Sequence, residues 1–324
     1  MKFRYVPSVK QSVSIMILVI MGFPCAAQEV DRSAVPTDHA EKLWMCMLDL
    51  ETSISRRLFV LEDFSTAGSP SLSPDGKTIA FDGVSPGSAS SSAHIFTCNM
   101  DGSDLKDLGP GAMPSWSPRG SRLAFSKYSP EQGVWLMNAD GQNQRLIDQQ
   151  GWSATWSPNG RMIAYSRSSN AGPDFVIFNL VEDEFRYVFN DISSGYSSFY
   201  WNFAWSPDSQ RICFKGTGKG QGSHVCSVKV GAKPAIVEHF QKESFPADFT
   251  WLNNEGIVTS IWSKSQKCPQ LFRIAAAQDS TDGDGESQIP PVEIEGQFQG
   301  RRNGEADVSR DGKLLLYVSQ PAKK

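Results

Sequence analysis

Six copies of one hairpin pattern, a tryptophan at one position in four of them, and no long amphipathic helix predict an all-β fold. The architecture they specify is a six-bladed β-propeller of four-stranded antiparallel blades. Copies recur roughly every 40 to 57 residues, the spacing of one blade rather than one turn of a solenoid. The clearest copy is Trp152 to Ser168, WSATWSPNGRMIAYSRS. In it Ala154 to Ser157 is a short strand, Ser157-Pro158-Asn159-Gly160 is a tight turn ending on a glycine that tolerates positive φ, and Arg161 to Ser166 is the return strand.

The same grammar returns at Ser73-Pro74-Asp75-Gly76, Ser117-Pro118-Arg119-Gly120, Ser206-Pro207-Asp208-Ser209 and Ser309-Arg310-Asp311-Gly312. A sixth, worn copy runs from Trp251 to Trp262 around Asn253-Asn254-Glu255-Gly256. Trp116, Trp156, Trp205 and Trp251 share one place in the repeat.

The N-terminus reads as an export signal, residues 1–27. Lys2, Arg4 and Lys10 precede the apolar run Val13 to Phe23, and Cys25-Ala26-Ala27 offers small residues for cleavage near Ala27. An uncleaved anchor and a lipoprotein held through Cys25 are the alternatives. Losing Lys2, Arg4 and Lys10 from 31 basic residues leaves 28 against 35 acidic ones, a formal charge of −7. No later stretch is long enough to span a membrane, so the mature protein is expected to be soluble, monomeric, and periplasmic or secreted. No basic stripe points to nucleic acid.

Residues 28–42 read as a loose lead-in. Leu43 to Asp49 and Arg57 to Leu61 are two strands without a preceding hairpin, whereas Glu305 to Ser319 is a hairpin without following strands. The two halves complete one blade: the N-terminal pair supplies its outer strands, closing a ring over residues 43–319 and removing free sheet edges. Residues 320–324 form a tail. Each remaining unit reads as inner strand A, then B, C and outer strand D. Strand C is visible at His94 to Asn99 and Gly133 to Asn138, followed by the Asp101-Gly102 and Asp140-Gly141 turns, and again at Phe175 to Leu180, Val225 to Val230 and Leu271 to Ala275.

The Ser73 to Phe81 run, Ser-Pro-Asp-Gly-Lys-Thr-Ile-Ala-Phe, its variants, and the strands before Asp101-Gly102 and Asp140-Gly141 resemble the repeats of the TolB-type β-propeller, a WD-repeat-like family. The resemblance covers Leu43 to about Ser319 and implies the fold. Residues 28–42 are too few for the α/β domain that precedes the propeller in that family, so the chain resembles its propeller half alone. Such repeats also occur in periplasmic scaffolds, peptidase propellers and polysaccharide lyases.

In a propeller the D-to-A and B-to-C connections share one face, where ligands usually meet the channel. The D-to-A connection Asn190 to Asn202 carries Tyr196, Phe199, Tyr200 and Trp201, a candidate contact surface for a protein or a glycan, unless the rings simply roof a gap between blades. Arg301 and Arg302, in the connection Glu295 to Gly304, reach the same face and could pair with an acidic partner, or be solvated surface charge. Asp191, Asp248 and Glu305 at the mouth are the carboxylates that could serve as acid and base in a carbohydrate-active enzyme. His94 and His224 lie on different blades and are not expected to share a metal. Asp279 to Glu286 reads as a flexible acidic loop lacking EF-hand spacing, and Gly216 to Gly222 matches no phosphate-binding loop.

Five cysteines follow the signal. Cys213 and Cys226 flank Phe214 to Val225 symmetrically, which would place them opposite each other and permit a disulfide; simple packing is the alternative. Cys46 and Cys98 sit at equivalent repeat positions. No Cys/His spacing implies zinc, and no cofactor or metal is expected. With no GxSxG or HExxH motif and four histidines, the sequence favours a binding propeller with a protein partner. A polysaccharide lyase or glycan-binding module at the same face is the rival.

Overall fold

The computed structural model describes residues 38–170, 172–189, 193–200, 202–218, 222–231, 234–242, 248–254, 256–277 and 289–322. The signal and most of the lead-in, the acidic run and Trp201 lie outside them.

Six antiparallel sheets form the blades. Blade 1 comprises Thr66–Leu72, Thr78–Val84, His94–Asn99 and Lys106–Pro110; blade 2, Ala112–Trp116, Arg122–Lys127, Gly133–Asn138 and Arg145–Asp148. Blade 3 is Trp152–Trp156, Met162–Ser169, Gly172–Asn179 and Glu184–Tyr187. In blade 4 the inner strand is split into Ser198–Phe199 and Ala204–Trp205, followed by Arg211–Thr217, Ser223–Lys229 and Ile236–Lys242. Blade 5 is Phe249–Asn253, Gly256–Ser263, Cys268–Ala275 and the two-residue Val292–Glu293. Among the described residues no helix is long and apolar enough to cross a membrane.

Blade 6 is assembled from both ends of the chain. Arg301–Val308 and Leu314–Pro321 are continued by Leu43–Asp49 and Ile54–Leu61, with Trp44 opposite Ser319, Cys46 opposite Tyr317 and Asp49 opposite Leu314. Alternation then sends Trp44 and Tyr317 into a core shared with Val258, Leu271 and Phe298 of the fifth unit, while Met45, Leu316 and Val318 pack on Leu72, Ile79 and Phe81 of blade 1.

The recurring turn has a chemical reason. Ser73 Oγ donates to Asp75 Oδ1 at 2.7 Å and accepts the Thr78 amide at 2.9 Å, so one hydroxyl closes the loop, and Gly76 takes φ +69°. Ser157 with Asn159, Ser206 with Asp208 and Ser309 with Asp311 repeat it.

Two expectations are corrected here. Cys213 pairs with Ser227 and Phe214 with Cys226, one residue away from the symmetrical register. A one-residue offset turns the thiols to opposite faces: Cys226 enters the core between blades 3 and 4, Cys213 the core between blades 4 and 5. Neither forms a disulfide, nor do the other described cysteines, and all are buried. Burial pushes the Cys98 thiol up to about 12 and Cys46 and Cys213 well above the ordinary range. Alkylation of the folded protein is therefore expected to leave these thiols unmodified, with labelling appearing only on denaturation, as intact-mass measurement would show.

The second correction concerns the arginines, which open the inner strand of blade 6 rather than a loop. Arg301 is 3% exposed and its guanidinium lies 3.5 Å from the centre of the Trp44 ring. It donates to Ser319 Oγ, to the Ser319 and Lys42 carbonyls at 3.0 and 2.6 Å, and to the Ala40 carbonyl. That side chain ties the two chain ends together and is not available to an external acid.

Candidate functional site at the channel mouth

Counting three residues back from the repeat tryptophan, or from its equivalents Leu72 and Val308, selects Ser69, Met113, Ser153, Asn202, Asp248 and Glu305. All six line one cavity of about 150 Å³ on the channel axis. They reach it because most inner strands carry a bulge there: register breaks fall between Gly68 and Ser71, Ala112 and Ser115, Trp152 and Thr155, and Gly304 and Asp307. Ser69, Met113, Ser153 and Glu305 all take positive φ, between 47° and 59°.

Three of these bulges free an amide that a neighbouring blade accepts. Met113 N donates to Asp82 Oδ2 at 2.7 Å, Ser153 N to Ser126 Oγ at 2.8 Å, and Ser69 N to Glu305 Oε2 at 2.7 Å. Leu72 N donates to Asp307 Oδ2 at 2.8 Å, and Asn202 Nδ2 to Asp248 Oδ1. Blades 1 to 3 thus give the ring small or apolar side chains, whereas blades 4 to 6 give it an amide and two carboxylates.

Asp82, Asp248 and Glu305 converge on this mouth. Burial, then the charges of Asp248 and Asp82, push the Glu305 carboxyl well above its usual range against the opposing Ser69 amide. Burial also raises Asp82, with Asp248 adding to it, and raises Asp248 in spite of Asn202 and Lys215. Deeper in, burial lifts Asp307 to about 6 although two amides stabilise its charge. Lys215, on the second strand of blade 4, is the cation facing Asp248; burial lowers its pKa and it lies 5.0 Å from the Tyr200 ring. A side pocket holds Arg302 beside Asp248 and Glu305. Among the described residues no group of three or more His, Cys, Asp or Glu side chains is placed to hold a metal ion.

The aromatic connection divides. Tyr196, 6% exposed, packs on Phe199, Phe214 and His224, with its hydroxyl 3.1 Å from Cys226 Sγ. Phe199 stacks on Phe175 at 4.9 Å and 8°. These two pack into the gap between blades 3 and 4, Tyr196 buried and Phe199 partly so. Tyr200, 40% exposed, is the described ring that faces out. Trp201 and Asp191 lie outside the described residues. His94 and His224 pair with Asp107 and Glu238 of their own outer strands, at 2.9 and 3.0 Å.

Of the mouth groups, Asp248, Glu305 and Arg302 were legible beforehand; Asp82, Asp307 and Lys215 were not. The missing signal was alignment of the copies on the second strand, where Asp82, Ser126, Ser166 and Lys215 follow Phe81, Phe125, Tyr165 and Phe214.

The same six-sheet arrangement superposes on a structure assigned as TolB from Agrobacterium tumefaciens with a TM-score of 0.61, over 87% of this chain and 99% of that one, at 15% identity. The fold is that of the TolB-type propellers. TolB from Acinetobacter baumannii matches with a TM-score of 0.57 at 12% identity, over 89% of this chain, which spans 66% of that protein. An oligogalacturonate lyase from Vibrio parahaemolyticus matches with a TM-score of 0.53 at 15% identity, over 74% of each chain. No protein-family model and no curated protein sequence matches the chain. The likeness to the TolB-type structures is therefore one of fold.

Proposed function

We propose that this protein is an exported propeller that binds another protein through the mouth-side face of its channel. The observation that carries the reading is that Asp248 and Glu305 line one chamber with Asp82 close enough to add its charge to Glu305, while the exposed Tyr200 lies beside Lys215, the cation facing Asp248. Crowded carboxyls whose ionisation is held back are poor partners for an acid and good ones for the ammonium or guanidinium of a basic side chain, whose charge offsets the crowding, or for amide donors. A polyuronate, itself a chain of carboxylates, is poorly matched to that lining. Export rests on the Lys2 to Ala27 segment, and the TolB-type fold supports a binding role.

The test is site-specific photocrosslinking from position 200 in cells, with adducts identified by mass spectrometry. One defined adduct is expected, reduced about tenfold or more by the combined change Asp248→Asn and Glu305→Gln, the loss that one or two charge-assisted hydrogen bonds represent. An adduct of undiminished yield would remove the channel mouth from the interface.

The second reading, a carbohydrate lyase, is favoured by one observation: Asp248's charge helps push Glu305 well above its usual range while Asn202 and Lys215 oppose the rise of Asp248, the unequal pair that an acid and a base require. Turnover of an oligogalacturonate or other glycan panel, followed by ultraviolet absorbance of unsaturated products and abolished by Asp248→Asn, would replace the binding role with this one.

A further inference from the structure

Three hydrogen bonds at the mouth run from a backbone amide of one blade to a carboxylate of its neighbour, and two of them cross the boundary between blades 6 and 1. Glu305 takes Ser69 N and Asp307 takes Leu72 N, joining blade 6 to blade 1; Asp82 takes Met113 N, joining blade 1 to blade 2. A fourth mouth bond, Ser153 N to Ser126 Oγ between blades 2 and 3, uses a neutral hydroxyl instead. Nature has thus placed titratable and non-titratable acceptors in equivalent positions of one ring.

We propose that the carboxylate clasps form a proton-controlled latch, closed when Glu305 and its neighbours carry protons and loosened at the blade 6–1 and 1–2 seams as rising pH ionises them. The inference goes beyond the binding role and holds for either reading of the site. Its physical basis is crowding of like charge. Facing Glu305 and Asp82 is Asp248 from blade 5, with Ser69 of blade 1 and Tyr128 of blade 2 beside Asp82, while Asp307 of blade 6 lines the same chamber. The cations are Lys215 of blade 4, near Asp248, and Arg302, at the rim of the side pocket. Blade 3 contributes Ser153, which is neutral.

The sign follows from linkage. Carboxyls raised above their unfolded values hold protons in the closed ring that an opened, solvated seam releases, so closure is complete below about pH 4 and is lost as pH rises through the raised values. An ionised carboxylate makes the stronger bond to an amide, but that gain is already included in the shift and is outweighed by burial and by the neighbouring charges.

Hydrogen exchange of single amides tests it, with each rate divided by its intrinsic rate at the same pH. Protection of Ser69 and Met113 is expected to fall about tenfold or more between pH 5 and 8, the change that one unit of coupled titration carries, while Ser153 stays level. In Glu305→Gln the fall at Ser69 disappears. Level protection at Ser69 and Met113 in the wild-type protein, or a fall that Ser153 shares equally, would overturn the latch. Should Glu305→Gln fail to fold, Asp82→Asn reports on the Met113 clasp, and the wild-type contrast with Ser153 decides alone.

Discussion

Arg301→Ala is expected to destabilise the protein by about 3 kcal/mol or more, lowering the unfolding midpoint by roughly 6–12 °C. The reason is the number of partners that lose a donor at once. Its guanidinium serves Ser319 through both the hydroxyl and the carbonyl, and also the Lys42 and Ala40 carbonyls, beneath the face of Trp44. Alanine leaves those oxygens without it and a void under the ring. Burial lowers the arginine pKa to about 10, so the group remains charged at neutral pH. Arg301→Lys should recover little, because an ammonium cannot span several oxygens held by a planar fork. Calorimetric midpoints within 2 °C of wild type for the alanine variant would show that the N-terminal strands dock without this tie.

Phe175→Ala is expected to cost about 3–5 kcal/mol, whereas Tyr200→Ala should change stability by less than about 0.5 kcal/mol. Phe175 is fully buried and its ring meets Phe199, Phe203 and Phe214 at 4.9, 5.0 and 5.2 Å, so its removal empties the middle of the blade 3–blade 4 core. Tyr200 sits outside that cluster with Lys215 beside it. Denaturant midpoints for the pair separate the packing part of the aromatic connection from its exposed part. Equal losses would mean that Tyr200 also belongs to the core.

Global stability should depend on pH in two opposing ways, which is why the latch is best read at single amides. His239 is held neutral by burial, with its pKa lowered to about 4, so its contribution is present above the unfolded value and fades as pH falls. The mouth carboxyls act in the reverse direction. Glu305→Gln is therefore expected to raise the midpoint near pH 8 and leave it nearly unchanged near pH 4.

The hairpins, the number of blades and the meeting of the chain ends were legible because each is a repeated local pattern or the remainder such a pattern leaves. The chamber was not, since it depends on single-residue bulges that period-two alternation does not encode. Asp248 and Glu305 were recognisable as mouth carboxylates from their connections, but their convergence with Asp82 appears only when strands of different blades are superposed. The aromatic connection was ambiguous for a related reason. Whether Tyr196 stands on the surface or lies flat is decided by Gly216, where an added Cβ would meet its ring at 2.5 Å. The cysteine pair failed by one position in register, the smallest error that reverses a side chain's direction.

Pairing of residues 43–49 with residues 314–319 also sets an order of events during synthesis. Leu43–Asp49 can pair at once with Ile54–Leu61, but its other edge waits for Leu314–Pro321, so Trp44, Met45 and Leu48 lack that half of their sheet until the last hairpin is made. Such contacts, separated by almost the full chain, carry a large loop-closure cost and leave sticky apolar edges exposed meanwhile. Chaperone demand should accordingly track completion of the last hairpin, and truncations lacking it should aggregate through the N-terminal pair.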